Sequence, residues 1–481
     1  MKKTYAFALT AGLFLLGSCA ANEPEGGQVN SPVLPEGEEA FVKIAFNGLS
    51  SATRAGETDA IENAAFLFYD HEHNYLETIY VDATGEGDKF SWTTPVDSHN
   101  KCAIIKCNYL PSYVAVVVNG EREFSHDFGE ETPYITTKWA NKNNAYYMSS
   151  SVYYDTNSDD NAATWYTPIV KIYGTENDAK ADQETATVIP VERLVAQLNI
   201  TKSGEQIKDD YFEVVGVDND LVEGSVKFKP TNVFITNKQT TGYTIKHLYD
   251  YDDVVARIGT TWAFNDTDNK RSFVARGYDA APTPVKANNM PNTLWTNNTT
   301  YAFDRRGATM QEATAVIVAG VYEIYDKEGN MVVGNEKDFW LVAENGKYAI
   351  YTDEAAAMIA MGEPEGELVQ SKDGNGKWTG WMKLASGKTP MRCKVFHLGR
   401  GYYSKAIERV DPTDKAAYYN IVRNHIYNLT VSQITGIGTG IPTDDTDIVP
   451  VPPTDPSEPD YYMHMSVQVL PWTTVNQNIK W

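Results

Sequence analysis

The feature that most constrains the fold of this chain is an apolar alternation of period two, repeated in short segments and bounded by turn residues. In Ala40-Phe-Val-Lys-Ile-Ala-Phe-Asn47 the side chains of Val42, Ile44 and Phe46 share one face, as a strand requires. Ala64-Ala-Phe-Leu-Phe-Tyr-Asp70 and Tyr75-Leu-Glu-Thr-Ile-Tyr-Val81 flank Asp70-His-Glu-His-Asn74, which predicts a hairpin. Tyr113-Val-Ala-Val-Val-Val-Asn119-Gly120 reads as a buried strand ending in a turn. The 30 tyrosines suit half-buried strands, and the usual helix builders are thin outside a few short stretches. The pattern predicts an all-β body.

With 481 residues, 42% of them hydrophobic, the chain can bury two sizeable cores. A second series begins at Val188-Ile-Pro-Val-Glu-Arg-Leu-Val-Ala-Gln-Leu-Asn-Ile200, read as one apolar strand, and continues with Val226-Lys-Phe-Lys-Pro-Thr-Asn-Val-Phe-Ile-Thr236. The stretch 157–180 reads mostly as loop. Two tandem β-sandwich domains follow, at 55–187 and 188–435, with Val395-Phe-His-Leu-Gly399 and Ile421–Ile434 supplying the last strands of the second. Composition then shifts: 436–460, rich in Pro and Asp, reads as an unpacked linker. Beyond it, at 461–481, come two amphipathic strands. The first aligns Met463, Met465, Val467 and Val469; Pro471-Trp472 breaks it; the second aligns Val475, Ile479 and Trp481 around Gln477.

At the other end, Lys2-Lys3, an apolar run from Tyr5 to Leu16 and Leu16-Gly-Ser-Cys19 read as a signal peptide over 1–18. The run is too short to span a bilayer. The Leu-Gly-Ser-Cys ending resembles a lipobox, cut before Cys19 with that cysteine acylated; an ordinary secretory signal with a chance cysteine is the alternative. Residues 20–39 read as a flexible tether within a propeptide spanning 19–54. After the strand at 40–47, Gly48-Leu-Ser-Ser-Ala-Thr-Arg54-Ala55-Gly56 is small and polar with a single arginine, the kind of segment a protease reaches. Arg193 is a second conceivable cut site, but it lies in an expected buried strand. Of the four cysteines, Cys102 and Cys107 fall an odd distance apart on one strand, hence on opposite faces, and with Cys393 read as small core residues. A formal charge of −23 argues against nucleic acid or an anionic membrane surface as partner, leaving lipid on the precursor as the membrane attachment.

These ends complement each other. Cleavage between Arg54 and Ala55 frees the strand carrying Val42, Ile44 and Phe46, and its departure exposes a sheet edge and a groove. The C-terminal strands of a neighbouring molecule can fill that groove by strand addition. At roughly 1.5 to 3 kcal/mol per large buried apolar side chain, the three residues leaving correspond to about 5 to 9 kcal/mol gross and the seven entering to about 10 to 20. Donor and groove are different surfaces, so the contact is head-to-tail and builds an open filament.

The Cys19 lipobox, Thr53-Arg54-Ala55, Val191-Glu-Arg-Leu-Val-Ala-Gln-Leu-Asn-Ile200, Arg423-Asn-His-Ile-Tyr-Asn-Leu-Thr-Val431 with Ile434-Thr-Gly-Ile-Gly438, and Val467-Gln-Val-Leu-Pro-Trp472, taken in order, resemble the Bacteroidales fimbrillins, or type V pilins, and most nearly their minor-fimbrillin shaft subunits of short fimbriae. The resemblance implies two transthyretin-like or Ig-like β-sandwich domains with a donor-strand extension. It further implies lipoprotein transport to the outer membrane, cleavage by an arginine-specific protease of the gingipain type, and donor-strand exchange between identical or related subunits in a surface fimbria. Adhesion and biofilm formation are the roles of such fimbriae; the receptor is not implied.

Two rivals remain on sequence grounds. A surface glycan-binding outer-membrane lipoprotein would use some of the ten tryptophans as sugar platforms, but has no need of leashed amphipathic strands. For an enzyme, His71-Glu72-His73 is the nearest metal-ligand cluster, and it falls on a hairpin turn. No phosphate loop, nucleophile elbow or zinc spacing is present in the sequence, so no cofactor and no catalytic residue are expected. The terminal strands also have a plainer reading, in which they complete the second domain's own sheet.

Overall fold

The computed structural model describes residues 38–47, 62–120, 135–248 and 284–451 with short gaps, together with 34, 275–276 and 462–471. Its fold is all-β. The helices among the described residues are short, such as Glu176–Ala181 and Glu354–Ala360.

In the N-terminal body a hydrogen-bonded path runs Tyr75–Asp82, Asn63–Tyr69, Tyr113–Val118, Met148–Ser150, Thr187–Arg193, Ala40–Asn47, Cys102–Cys107 and Phe90–Thr93. The path doubles back at Thr187–Arg193: its first half pairs in parallel with Ala40–Asn47, its second half antiparallel with Met148–Ser150. Two layers result, and one core fills the space between them. Val42, Ile44, Ala103 and Ile105 enter it from one side and Phe66, Phe68, Val114 and Val116 from the other. This is the alternation of the sequence translated into a sandwich. The hairpin 63–82 turns as expected at 70–74, where the Asp70 carboxylate accepts from the backbone N–H of Glu72 at 2.8 Å and of Asn74 at 2.9 Å.

The C-terminal body repeats the plan. One sheet is ordered Thr299–Ala302, Ala196–Lys202, His425–Thr435, Tyr462–Pro471; the other runs Phe212–Glu213, Ser225–Thr236, Ala315–Tyr325, Arg400–Ala406, Thr439–Gly440. Leu198, Ile200, Leu429 and Val431 meet Phe228, Val316, Val318 and Tyr403 in the core between them. A five-stranded sheet formed from residues 339–396, including Phe339–Glu344 and Arg392–Phe396, adds Phe339, Leu341 and Phe396 to this core and carries a second cluster around Trp340, Met358 and Cys393 on its other face.

Three sequence expectations are corrected here. The apolar run 188–200 is two strands in different sheets, Thr187–Arg193 and Ala196–Lys202, so the strand that was to open the second domain belongs to the first sheet and the changeover comes at Leu194-Val195. Both of these residues are buried, which leaves no polar break for a sequence pattern to register. The stretch 157–180 is more structured than a loop: its described part, from 163, contains short strands and leads into Glu176–Ala181, whose N-terminus is capped by the Thr175 hydroxyl accepting from the Asp178 N–H. Finally, 436–451 is not an unpacked linker. Ile441, Ile448 and Val451 are buried against Phe234, Ile317, Ala319 and Tyr402 on the outer face of the sheet that holds Ser225–Thr236 and Ala315–Tyr325, and the Tyr402 hydroxyl donates to the Val449 carbonyl at 3.0 Å. Three buried apolar side chains spread among Pro, Thr and Asp, with Val449 partly buried beside them, were enough to cover one sheet face. The rest of 436–460 lies outside the described residues.

Among the described residues Cys102, Cys107 and Cys393 form no disulfide, and Cys107 and Cys393 are buried. Burial pushes both of these up to about 12 from the ordinary 9.0. Because the folded state holds the thiol protons more tightly than the unfolded chain, stability is unaffected below pH 9 and falls as pH rises from 9 toward 12. Each thiol contributes up to about 1.4 kcal/mol per pH unit. Urea titrations from pH 8 to 11 should show this fall, reduced in Cys107→Ala once its own cavity cost is subtracted at pH 8. For the packed segment, Ile448→Ala should cost about 2 to 5 kcal/mol by chemical denaturation; a true linker residue would change stability by under about 0.5 kcal/mol.

Candidate functional site

Ala40–Asn47 is an interior strand. Its six register pairs with Cys102–Cys107 are antiparallel and its four with Thr187–Pro190 are parallel. Val42 and Ile44 are 0% exposed and project into the N-terminal core. The opposite face is covered too. Phe41 packs with Ile104, Tyr173 and Ala179, and the Lys43 ammonium, on a side chain buried beside it, donates to the Asp182 carbonyl. The sequence expectation of a one-faced strand therefore understates its burial, although the near-continuous apolar run Ala40-Phe-Val, interrupted only at Lys43, carries the signal of a strand covered on both faces. The Phe46 side chain, like Cys19, Arg54 and Ala55, lies outside the described residues.

The strand Tyr462–Pro471 is the edge of its sheet. It pairs antiparallel with His425–Thr435 through ten register pairs, so in this structure it rests on its own body. Met463, Met465, Val467 and Val469 share the inward face as the alternation predicts, yet only Met463, 2% exposed, is fully buried; the other three are partly covered. Tyr462 and Leu470 are exposed on the outer face. Val475, Ile479 and Trp481 lie outside the described residues.

Between the two bodies sits a set of buried charges that the sequence reading missed. Lys246 donates to the Glu192 carboxylate at 2.8 Å, with the two side chains 0% and 5% exposed. Arg423 and Asp304 pair at 0% and 2% exposure, and the Arg423 backbone N–H donates to the same carboxylate at 2.7 Å. The Arg423 guanidinium also donates to the carbonyls of Tyr243 and Thr244. Arg193, the alternative cleavage candidate, is 3% exposed; its guanidinium and backbone N–H both donate to Asn424 Oδ1 at 3.3 Å. Desolvation pulls Lys246 below the ordinary lysine value, opposed by its carboxylate neighbour Glu192. Partners separated by 54 to 231 positions leave no local pattern to read.

His71, Glu72 and His73 are exposed on the hairpin turn, and His73 stacks on Tyr166 with ring centroids 4.6 Å apart. Among the described residues no group of three or more His, Cys, Asp or Glu is placed to hold a metal ion, and no helix is long and apolar enough to cross a membrane.

Residues 394–478 match the family described as Major fimbrial subunit protein type IV, Fimbrillin, C-terminal. The matched region takes in both the strand His425–Thr435 and the terminal strand it holds. Among solved structures, a fimbrial assembly protein from Parabacteroides distasonis aligns over 82% of this chain and 91% of its own, at 10% identity and a TM-score of 0.33. No curated protein matches the chain. The family match supports a subunit of a fimbria.

If the buried pair is an essential joint, Lys246→Met should cost about 3 to 5 kcal/mol, because Glu192 is left as an uncompensated buried charge. Adding Glu192→Leu should recover most of that loss, as read from denaturation midpoints of the two variants side by side.

Proposed function

We propose that the chain is a structural subunit of a cell-surface fimbria, exported as a precursor lipidated on Cys19, cleaved after Arg54 and polymerised head-to-tail by donor-strand exchange. The observation that carries this reading is the position of Ala40–Asn47. It is the strand nearest the N-terminus among the described strands, it lies on the far side of Arg54 from the rest of the chain, and it fills an interior slot between two other strands. Strands so placed cannot be lost without leaving two unpaired edges and an open core, and an unpaired edge is a template for another chain.

The terminal strand supports the donor assignment. An edge position lets it detach without opening a gap in its own sheet, and three of its four inward side chains are only partly buried. The slot offers a vacated strand with both faces covered, so a donor gains full burial there for side chains such as Val467 and Val469. At roughly 1.5 to 3 kcal/mol per large side chain fully buried, that gain favours exchange once the original occupant is cut free. Burial of Arg193 supports Arg54 as the cleaved bond, since a protease must accommodate extended chain. A two-domain division near the Leu194-Val195 changeover, an arginine-specific processing protease, and roles in adhesion and biofilm formation belong to the same reading, and the partners are further copies of this chain or related fimbrial subunits.

Full-length precursor treated with an arginine-specific protease should lose its N-terminal segment up to Arg54 and give a ladder on an unheated SDS gel, whereas Arg54→Ala precursor should stay monomeric. Removing 461–481 should leave a folded, secreted monomer that forms no ladder. A cleaved protein that remains a monomer sinks the filament reading and leaves the surface-binding lipoprotein in its place.

A further inference from the structure

The slot and the terminal strand are bridged by the charged joint. Thr187–Pro190 pairs with the leading strand, and the next residues of that same strand, Glu192 and Arg193, reach across to Lys246 and Asn424. Asn424 adopts a left-handed backbone with φ of 57°, and its N–H donates to the Val195 carbonyl at 2.9 Å. On one side of it Arg423 is clamped by Asp304; on the other, His425 opens the strand that holds the terminal strand, pairing with Pro471. A second bridge runs beside the first. The Tyr146 ring lies under the Arg193 guanidinium at 5.6 Å, and its hydroxyl donates to the Tyr301 hydroxyl at 3.0 Å, on the other edge of the terminal strand's sheet.

We infer that this joint couples the two ends of the assembly cycle: an occupant in the slot holds Thr187–Arg193 in place, the strand holds the Asn424 turn, and the turn holds the Pro471 end of the terminal strand, so that loss of the leading strand loosens the donor. The physical reason is that Thr187–Arg193 has two partners. With the parallel partner gone, its first half becomes an edge, and the backbone at Glu192 and Arg193 then keeps only its antiparallel side, the ladder to Met148–Ser150 with the flanking Ser151-to-Pro190 and Leu194-to-Tyr147 hydrogen bonds. Buried charge pairs tolerate little displacement, because a lengthened contact leaves desolvated charge uncompensated. Two sites share one element, which is the requirement for coupling between them.

The inference rests on the reading of Ala40–Asn47 as the strand that leaves, but its readout is hydrogen exchange in the monomer, so failure to polymerise would count against that reading alone. In full-length protein, Ile44→Ala loosens the occupant without removing it. Peptides covering 102–107 and 466–470 should both exchange at least about threefold faster than in the parent protein, while 339–344 in the distant sheet stays unchanged. In an Asn424→Gly background, which keeps the left-handed turn but removes the acceptor for Arg193, Ile44→Ala should still accelerate 102–107 and no longer accelerate 466–470. Ile44→Val gives the same pattern at smaller amplitude if the alanine variant folds poorly. Faster exchange at 102–107 with none at 466–470, equal acceleration at 339–344, or an effect at 466–470 that survives Asn424→Gly would each overturn the coupling.

Discussion

The two-partner strand Thr187–Arg193 is the constraint on which the architecture depends. Its first half is parallel to the leading strand and its second antiparallel to Met148–Ser150, and this change of partner is what turns one hydrogen-bonded path into two facing layers. Pro190 sits at the change. A proline has no N–H to donate, and a strand that is switching partners is one of the few interior places where that absence does not break a ladder. Its carbonyl is used, accepting from the Ser151 N–H at 2.9 Å. Three residues beyond Arg193 the chain enters the sheet of the C-terminal body, where Ala196–Lys202 again takes a parallel partner, His425–Thr435. Both bodies are thus built on a parallel pair formed by strands far apart in sequence, and along the chain one pair passes to the other through Leu194-Val195.

What could be read from the sequence followed the range of the interactions. Alternation fixes which side chains of a strand share a face, so Val42 with Ile44 and Met463 with Met465, Val467 and Val469 fall where period two puts them, and the Asp70–Asn74 turn closes the hairpin its residues favour. Alternation is silent about which strand lies next door. Nothing local in Val188–Ile200 marks the change of sheet, because Leu194 and Val195 are as buried as the strand residues either side. Composition misleads at 436–451 for a related reason. Pro, Gly and Asp forbid regular strand there, but a segment can cover a sheet face through a few contacts such as Ile441 and Ile448 without being regular itself. The joint of Glu192, Lys246, Asp304 and Arg423 was the least legible part, since charged residues ordinarily lie in solvent and only the tertiary fold brings these four out of it.

The terminal strand raises a question of edges. Natural sheets guard exposed edges with charge or proline, and here Tyr75–Asp82 carries Glu77 and Asp82 while Leu368–Lys372 carries Lys372. Tyr462–Pro471 has ten residues with no Asp, Glu, Lys or Arg among them; its single proline is the last residue. A long, uncharged edge on a chain of formal charge −23 would be a liability unless pairing were its purpose, because the rest of the surface keeps copies apart. The two strands of the proposed exchange are also held unequally. Leaving its own sheet, the terminal strand uncovers one fully buried side chain, Met463; leaving the slot, the leading strand uncovers Phe41, Val42 and Ile44 and opens a core besides. Within the exchange reading, the slower step is therefore emptying the slot rather than freeing the donor. On that reading a cut at Arg54 would act on the slow step, since it severs the occupant of the slot from the rest of the chain.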